Sequence, residues 1–132
     1  MDFNLVFTKR INGGQIMERI ILRGAMYYAT LEEGSGSEQC GTRPVLIIQN
    51  DVGNKYSGTV IIAAITSKLK RNYKLPTHYR IQAQFGLSKV SYIMLEQIQT
   101  IDKARLTDYI GTLNGKAMRK VNHALAISVG LK

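Results

Sequence analysis

Two short apolar runs dominate the hydrophobic pattern of the chain. Val45 to Ile48 is uninterrupted, and residues 59–66, TVIIAAIT, form a second run that is rich in β-branched side chains. Continuous apolar runs of this length, bounded by turn-forming residues, are typical of strands buried on both faces. We therefore predict strands over 44–49 and 59–66, joined by a turn over 50–58, NDVGNKYSG.

Shorter apolar segments predict further strands at 25–29, around 77–82, at 91–95 and at 106–113. Residues 97–101 either extend the strand at 91–95 or turn away from it. Asp102 is placed to cap a brief turn at 103–105. The loop over 67–80 is basic: it carries Lys68, Lys70, Arg71, Lys74 and Arg80, and no acid.

The C-terminal segment has helical rather than strand periodicity. Asn114 is a suitable N-cap for a helix through Ile127, and Met118, Val121 and Leu125 form its apolar stripe. The pattern predicts a mostly antiparallel β domain with one helix packed on it, over residues 23–132. Residues 1–22 carry little pattern, and we predict an N-terminal arm that is either a short helix or only partly ordered.

Composition narrows the class of partner. The chain has 132 residues, and its 18 Lys and Arg outnumber 9 acids for a net charge of +9. Such an excess indicates a polyanionic partner, either RNA, DNA or an acidic protein, although a basic domain without such a partner has the same charge. The single cysteine, Cys40, allows no internal disulfide, which fits a reducing cytoplasm. It is far in sequence from His78 and His123, so no metal or other cofactor is expected.

Arg43 stands where a polar loop meets the first buried strand. Pro44 biases it toward an extended conformation, so its guanidinium would sit at the strand start and could bind a phosphate. An ion pair with Glu38 or Asp51 is the alternative. Thr66 ends the next strand, and if the two strands form an antiparallel hairpin, Arg43 and Thr66 meet at one edge of the sheet.

Such a pair suits metal-free chemistry on RNA. The chain has no HExxH, no phosphate-binding GxxxxGK[ST] and no carboxylate cluster for Mg²⁺. RNA supplies its own nucleophile, the 2′-hydroxyl, and the enzyme must then stabilise the charge that develops on phosphorus. Arg43 suits that role, and Thr66 would hydrogen-bond a phosphate oxygen or orient the 2′-hydroxyl. We expect a structural role for His78 and a surface role for His123.

Several segments together resemble the MazF/PemK family of toxin endoribonucleases: RGAMYYATL, GSEQCGTRPVLIIQNDVGNKYSGTVIIAAITSK, LPTH, LEQIQTIDKARL and NHALAISVGL. The resemblance runs from about Leu22 to Leu131. It implies an SH3-like β-barrel with added helices, a homodimer, and metal-independent cleavage of single-stranded mRNA within a type II toxin–antitoxin system. A cognate acidic antitoxin of the MazE type is then implied as a second partner.

The resemblance also implies roles for particular residues. Arg43 and Thr66 fall on the family's catalytic positions, and Glu38 would position Arg43 or relay a proton. The positions that would contact RNA are Ser37, Glu38, Gln39 and Gln97, to which the basic loop adds Lys68 and Lys70. The sequence departs from the family pattern at Ala25, Cys40, Gly58 and Gln99.

Two other functions are compatible with the same sequence. A non-catalytic module could use the same basic surface to bind nucleic acid. The wider fold family also includes a poison of DNA gyrase, so the target could be a protein. The juxtaposition of Arg43 and Thr66 favours the nuclease, because a simple binding surface needs no such pair.

Overall fold

The computed structural model describes residues 6–11, 14–31, 41–69 and 75–132, with side chains described from Arg19 onward. The elements within these residues, in chain order, are β1 Val6–Ile11, β2 Gly14–Arg19, β3 Ala25–Leu31, β4 Gly41–Ile47, α1 Asp51–Tyr56, β5 Thr59–Thr66, β6 His78–Ile81, β7 Ser91–Asp102, β8 Leu106–Thr112 and α2 Gly115–Ser128. A single 3-10 turn, Lys103–Arg105, joins β7 to β8.

Six of the strands form one antiparallel sheet in the order β6-β7-β5-β4-β3-β8. The predicted hairpin is confirmed, since β4 pairs with β5 and Val45 lies opposite Ala64. The pairing of β5 with β7 shifts between Ala63 and Ala64, whose partners are Ile98 and Met94. The intervening residues of β7 therefore form an irregularity, a feature that re-aims side chains.

Hydrophobic side chains are buried on both faces of the central strands. Leu46 and Ile65 belong to a cluster that also includes Val121 of α2. Val45 and Ile62 belong to a second cluster on the opposite face, with fully buried Tyr27. This double burial explains why β4 and β5 are continuous apolar runs rather than alternating ones.

The sheet curls until a loop from one edge lies against the other edge. The loop between β6 and β7 reaches edge strand β8, where a Cβ added to Gly111 would lie 1.7 Å from the carbonyl oxygen of Phe85. A Cβ on Gly86 would lie 2.0 Å from the carbonyl oxygen of Ile110. Hence only glycine fits at either position. Within the described residues β6 and β8 do not pair, so the sheet is barrel-like but open.

The C-terminal helix follows its sequence prediction closely. The Asn114 side chain accepts a hydrogen bond from the backbone N–H of Ala117 at 2.9 Å, which caps α2. Ala117, Val121 and Ala124 are buried against the sheet, while Met118 and Leu125 are partly buried beside them. No helix in the described part of the chain has the length and apolarity needed to cross a membrane.

The structure corrects two sequence predictions. The segment predicted as a turn contains helix α1, because Asn50 accepts a hydrogen bond from Gly53 N at 2.8 Å and so caps one helical turn. The arm contains a hairpin rather than a helix, with β1 and β2 paired from Val6 opposite Arg19. Arg19 connects this hairpin to the body, since its guanidinium donates to the carbonyls of Lys103, Leu106 and Thr107.

We predict that Gly111→Ala lowers the free energy of unfolding by more than about 2 kcal/mol, because its methyl group would collide with the Phe85 carbonyl. Gly58→Ala is the matched control: nothing lies within 4 Å of the added methyl group, so its change stays within about 1 kcal/mol. Urea denaturation measures both. Equal stabilities for the two variants would show that the loop does not contact β8.

Candidate active site

Arg43 and Thr66 lie at the same end of the β4–β5 pair. The pairing of β4 with β5 ends at Val45 opposite Ala64. Arg43 lies two residues before Val45 and Thr66 two residues after Ala64, so both stand at the same end of this pair. Side chains alternate along a strand, so both residues lie on the face of Val45 and Ala64. The predicted meeting of the two side chains stays a prediction, and what the strand bounds give is their common location at one end of the sheet.

An open pocket of about 230 Å³ lies at this end of the sheet. Residues from both faces line it, which places it around the strand ends rather than on one face. Its lining combines the start of β4, the end of β5 with the residue after it, the loop before β7 with the first residue of β7, and one residue of β3: Tyr28, Thr42, Arg43, Pro44, Ile65, Thr66, Ser67, Leu87, Ser88, Lys89 and Ser91.

Thr66 is 4% exposed, and its hydroxyl is held by the chain that follows it. The Oγ1 atom accepts from the backbone N–H of Lys68 at 3.1 Å and donates to the carbonyl oxygen of Lys68 at 3.3 Å. A hydroxyl has one proton and two lone pairs, so one lone pair of Thr66 remains for another donor. The threonine is therefore better prepared to accept a hydrogen bond than to donate one.

The pocket is positively charged. Apart from Tyr28, the ionisable side chains among the described lining residues are two cations, half-buried Arg43 and exposed Lys89. Hydroxyl groups of Thr42, Ser67 and Ser88 surround them. Cations interspersed with hydroxyl donors suit the non-bridging oxygens of a phosphodiester.

Two predicted RNA contacts lie outside the pocket. Lys68 is exposed and follows Thr66 by two residues, but it does not line the pocket. Gln97 is half-buried at the irregularity of β7 and is also absent from the lining. Other predicted contacts fall outside the described residues: Ser37, Glu38, Gln39 and Lys70.

His78 participates in a polar cluster away from the pocket. Its Nε2 lies 2.7 Å from Oε2 of Glu96, and the histidine side chain is only 5% exposed. The hydroxyl of Thr77 donates to Oε1 of the same glutamate at 2.8 Å. These bonds connect the end of the basic loop to β7, which agrees with the structural role expected for His78.

Asp51 is poorly placed to pair with Arg43. It begins α1, beyond the far end of β4, and its Oδ1 accepts from the backbone N–H of Arg23 at 2.6 Å and from Asn54 at 3.1 Å. Its carboxylate thus joins α1 to the start of β3. The alternative role for Arg43 as an Asp51 partner does not fit this placement, and Glu38 lies outside the described residues.

Sequence reasoning missed several residues that line the pocket, chiefly Tyr28, Ser88, Lys89 and Ser91. They come from β3, from the loop before β7 and from the first residue of β7, which are distant from Arg43 along the chain. The only available signal was the short polar segment Ser88-Lys89 between apolar residues. Nothing in its spacing shows that the sheet's curl carries it to the ends of β4 and β5.

The described residues contain no group of three or more His, Cys, Asp or Glu side chains that could hold a metal ion. The features that do converge on the pocket are a guanidinium, an ammonium and several hydroxyls. Together with the basic composition, they define the class of protein that binds a phosphorylated polyanion at the open end of a curled antiparallel sheet.

Comparison with known proteins identifies the family. Residues 22–129 match the family described as "PemK-like, MazF-like toxin of type II toxin-antitoxin system". The chain is 53% identical over 113 residues to the endoribonuclease EndoA of Bacillus subtilis, covering 85% of this chain and 97% of that protein. It is also 53% identical over 110 residues to the endoribonuclease MazF of Staphylococcus saprophyticus, covering 83% of this chain and 91% of that protein.

Solved structures have the same fold as this chain. A mycobacterial endoribonuclease in complex with its cognate antitoxin is similar with a TM-score of 0.70 at 28% identity, over 85% of this chain and 97% of that one. MazF from Deinococcus radiodurans shares the fold, with a TM-score of 0.72 at 20% identity over 86% and 99% of the two chains. The chain belongs to the MazF/PemK family of toxins. The predicted family, fold class and endoribonuclease class are confirmed.

We predict that Thr66→Val lowers the free energy of unfolding by about 1–3 kcal/mol, because the backbone N–H of Lys68 loses its acceptor. Thr66→Ser keeps the hydroxyl and should lose less. Urea denaturation of the two variants measures the difference. A valine variant as stable as wild type would mean that the bonds between Thr66 and Lys68 contribute nothing.

Proposed function

We propose that this chain is the toxin of a type II toxin–antitoxin system and that it cleaves single-stranded mRNA at short sequences, without a metal ion, through its own Arg43 and Thr66. The observation that supports this proposal is the pocket at one end of the β4–β5 pair, because Arg43 at the start of β4 and Thr66 at the end of β5 both line it. Residues 23–132 would form the nuclease domain, and residues 1–22 an added arm.

The reaction needs charge stabilisation above all. Attack of the 2′-oxygen on phosphorus forms a 2′-O–P bond, and cleavage of the P–O5′ bond releases a 5′-hydroxyl end and leaves a 2′,3′-cyclic phosphate. The crowded intermediate carries two negative charges. The guanidinium of Arg43 is planar and always charged, so it can donate two parallel hydrogen bonds to the non-bridging oxygens as this charge develops.

Thr66 would orient the nucleophile. Its proton is directed to the Lys68 carbonyl, and its remaining lone pair can accept a hydrogen bond from the substrate 2′-hydroxyl. A threonine hydroxyl is too weak a base to remove that proton efficiently. Glu38 is our candidate for relaying the proton or positioning Arg43. The proton is ultimately transferred to the 5′-oxygen, whose bond to phosphorus has broken.

Other residues would bind the RNA on either side of the reacting phosphate. Single-stranded RNA exposes its base edges to side-chain hydrogen bonds, so Ser37, Glu38, Gln39 and Gln97 would set sequence preference. Lys68 and Lys70 would bind flanking phosphates. The separation of Gln97 from the pocket fits a contact with a neighbouring nucleotide rather than with the reacting phosphate.

The same surface would bind the second partner. The mycobacterial relative was solved with its cognate antitoxin. With a net charge of +9, this chain would attract an acidic antitoxin segment that folds on the basic surface and excludes RNA. We propose in addition that the chain acts in the cytoplasm as a homodimer.

Incubation of the pure protein with a long RNA in EDTA tests the proposal. Wild type should produce discrete fragments with 5′-hydroxyl ends, and Arg43→Ala should reduce the cleavage rate by at least about 100-fold, as expected when a donor to the developing charge is removed. Arg119→Ala removes an exposed arginine from α2, outside the pocket, and should cleave normally. Sequencing the 5′ ends of the fragments gives the cleavage sequence.

Each other outcome selects another function. Retention of the RNA without cleavage would contradict the nuclease and support the binding module. Inertness toward RNA together with arrest of DNA gyrase would support the gyrase-directed alternative. Unchanged cleavage by Arg43→Ala would remove Arg43 from the mechanism.

A further inference from the structure

The loop between β6 and β7 brings a second cation to the pocket that contains Arg43 and Thr66. We propose that Lys89 is a further catalytic residue, whose ammonium group binds a non-bridging oxygen of the reacting phosphodiester. This inference rests on the proposed function. It assigns a chemical role to a residue that none of the sequence motifs indicates.

The loop that carries Lys89 is anchored against the body of the protein. Gly86 and Gly111 allow the loop backbone to contact β8 at distances that no Cβ would permit. Phe85 and Leu87 are partly buried against the core that includes α2. The backbone N–H of Leu87 also donates a hydrogen bond to the carbonyl oxygen of Gln84 at 3.1 Å. The backbone two residues before Lys89 is therefore fixed by packing.

The backbone of Phe85 is strained in this arrangement. Its φ is +58°, in the left-handed region that aromatic residues rarely adopt. Among the non-glycine residues that the structure describes, Phe85 alone has a positive φ. Strain of this kind persists only where surrounding contacts enforce it, and it concentrates at functional sites. The residues that follow, Leu87, Ser88 and Lys89, line the pocket at the ends of β4 and β5.

A side-chain bond fixes the other end of this segment. The hydroxyl of Ser91 donates to the carbonyl oxygen of Lys89 at 2.9 Å, and Ser91 is only 4% exposed. Ser91 opens β7, whose pairing with β6 places it opposite Ile81. The backbone of Lys89 is thus held on both sides, while its side chain stays exposed beside the pocket.

The charge of the reaction explains why a second cation would be useful. The phosphorane has two negative charges, and Arg43 supplies a single positive charge from one side of the pocket. Lys89 supplies another from a different element. An ammonium is a compact point charge with rotatable donors, so it binds phosphate without the fixed geometry of a guanidinium. Fixed cations around a transferring phosphoryl group act by electrostatic stabilisation.

Single-turnover cleavage of a short single-stranded RNA in EDTA tests this role. Lys89→Gln should slow cleavage by about 10- to 100-fold, the range for loss of one charged hydrogen bond. Lys89→Arg keeps the charge and should retain most of the rate. Lys116→Gln, which removes an exposed lysine from α2 outside the pocket, is the matched control and should cleave like wild type.

A binding measurement separates phosphate contact from a general effect of charge. The same RNA with a 2′-deoxynucleotide at the cleavage position cannot react, and its affinity can be measured against salt concentration. Loss of one phosphate contact should reduce the slope of log K against log salt by about 0.7 for a single strand. Lys89→Gln should show this reduction, whereas Lys116→Gln should not.

The outcomes distinguish this inference from the proposed function. If wild type cleaves but Lys89→Gln matches its rate and salt slope, Lys89 is a solvated loop charge and the inference fails alone. Equal slowing by Lys89→Gln and Lys116→Gln would also overturn it. If wild type leaves the RNA intact, the proposed function fails and the catalytic role of Lys89 fails with it.

Discussion

The pairing of β4 with β5 is the constraint on which the candidate site depends. Each strand is buried on both faces, and its alternate side chains pack into two different hydrophobic cores. A slip by one residue would exchange every side chain between these cores. The same pairing leaves Arg43 and Thr66 at a common end of the sheet, where both line one pocket. Stability of the sheet and geometry of the site therefore have one origin.

The rest of the pocket depends on the curl of the sheet. The loop before β7 contacts β8 only because glycine stands at both positions of closest approach, Gly86 and Gly111. That contact carries Ser88 and Lys89 to the strand ends, where they complete a cationic lining. The polar bonds of Glu96 to Thr77 and His78 stabilise the opposite side of β7, beside the basic loop.

Sequence reasoning succeeded where local pattern and tertiary packing coincide. Strand β5 has the predicted bounds, Thr59–Thr66, because a β-branched run between turn residues has few other conformations. Helix α2 begins after its predicted cap, Asn114. The location of Arg43 and Thr66 at one end of the sheet was also accessible, because hairpin geometry follows from strand length and direction alone.

Prediction failed where long-range contacts decide. The composition of α1 is that of a turn, and the short helix is held by bonds from distant parts of the chain, such as the 2.6 Å bond from the backbone N–H of Arg23 to Asp51 and the bond from the Lys103 ammonium to the carbonyl oxygen of Asn54. The hairpin of β1 and β2 gave no clear alternation. Lys89 was missed because its placement requires the curl of the whole sheet, which no local spacing encodes.

A crystal structure with a single-stranded RNA that has a 2′-deoxynucleotide at the cleavage position would test the central claim most directly. The missing hydroxyl prevents attack while preserving the phosphate. We expect one phosphate to lie within hydrogen-bonding distance of the Arg43 guanidinium, with the adjacent ribose C2′ directed at Thr66 Oγ1. A reacting phosphate bound elsewhere, with neither residue in contact, would contradict the account.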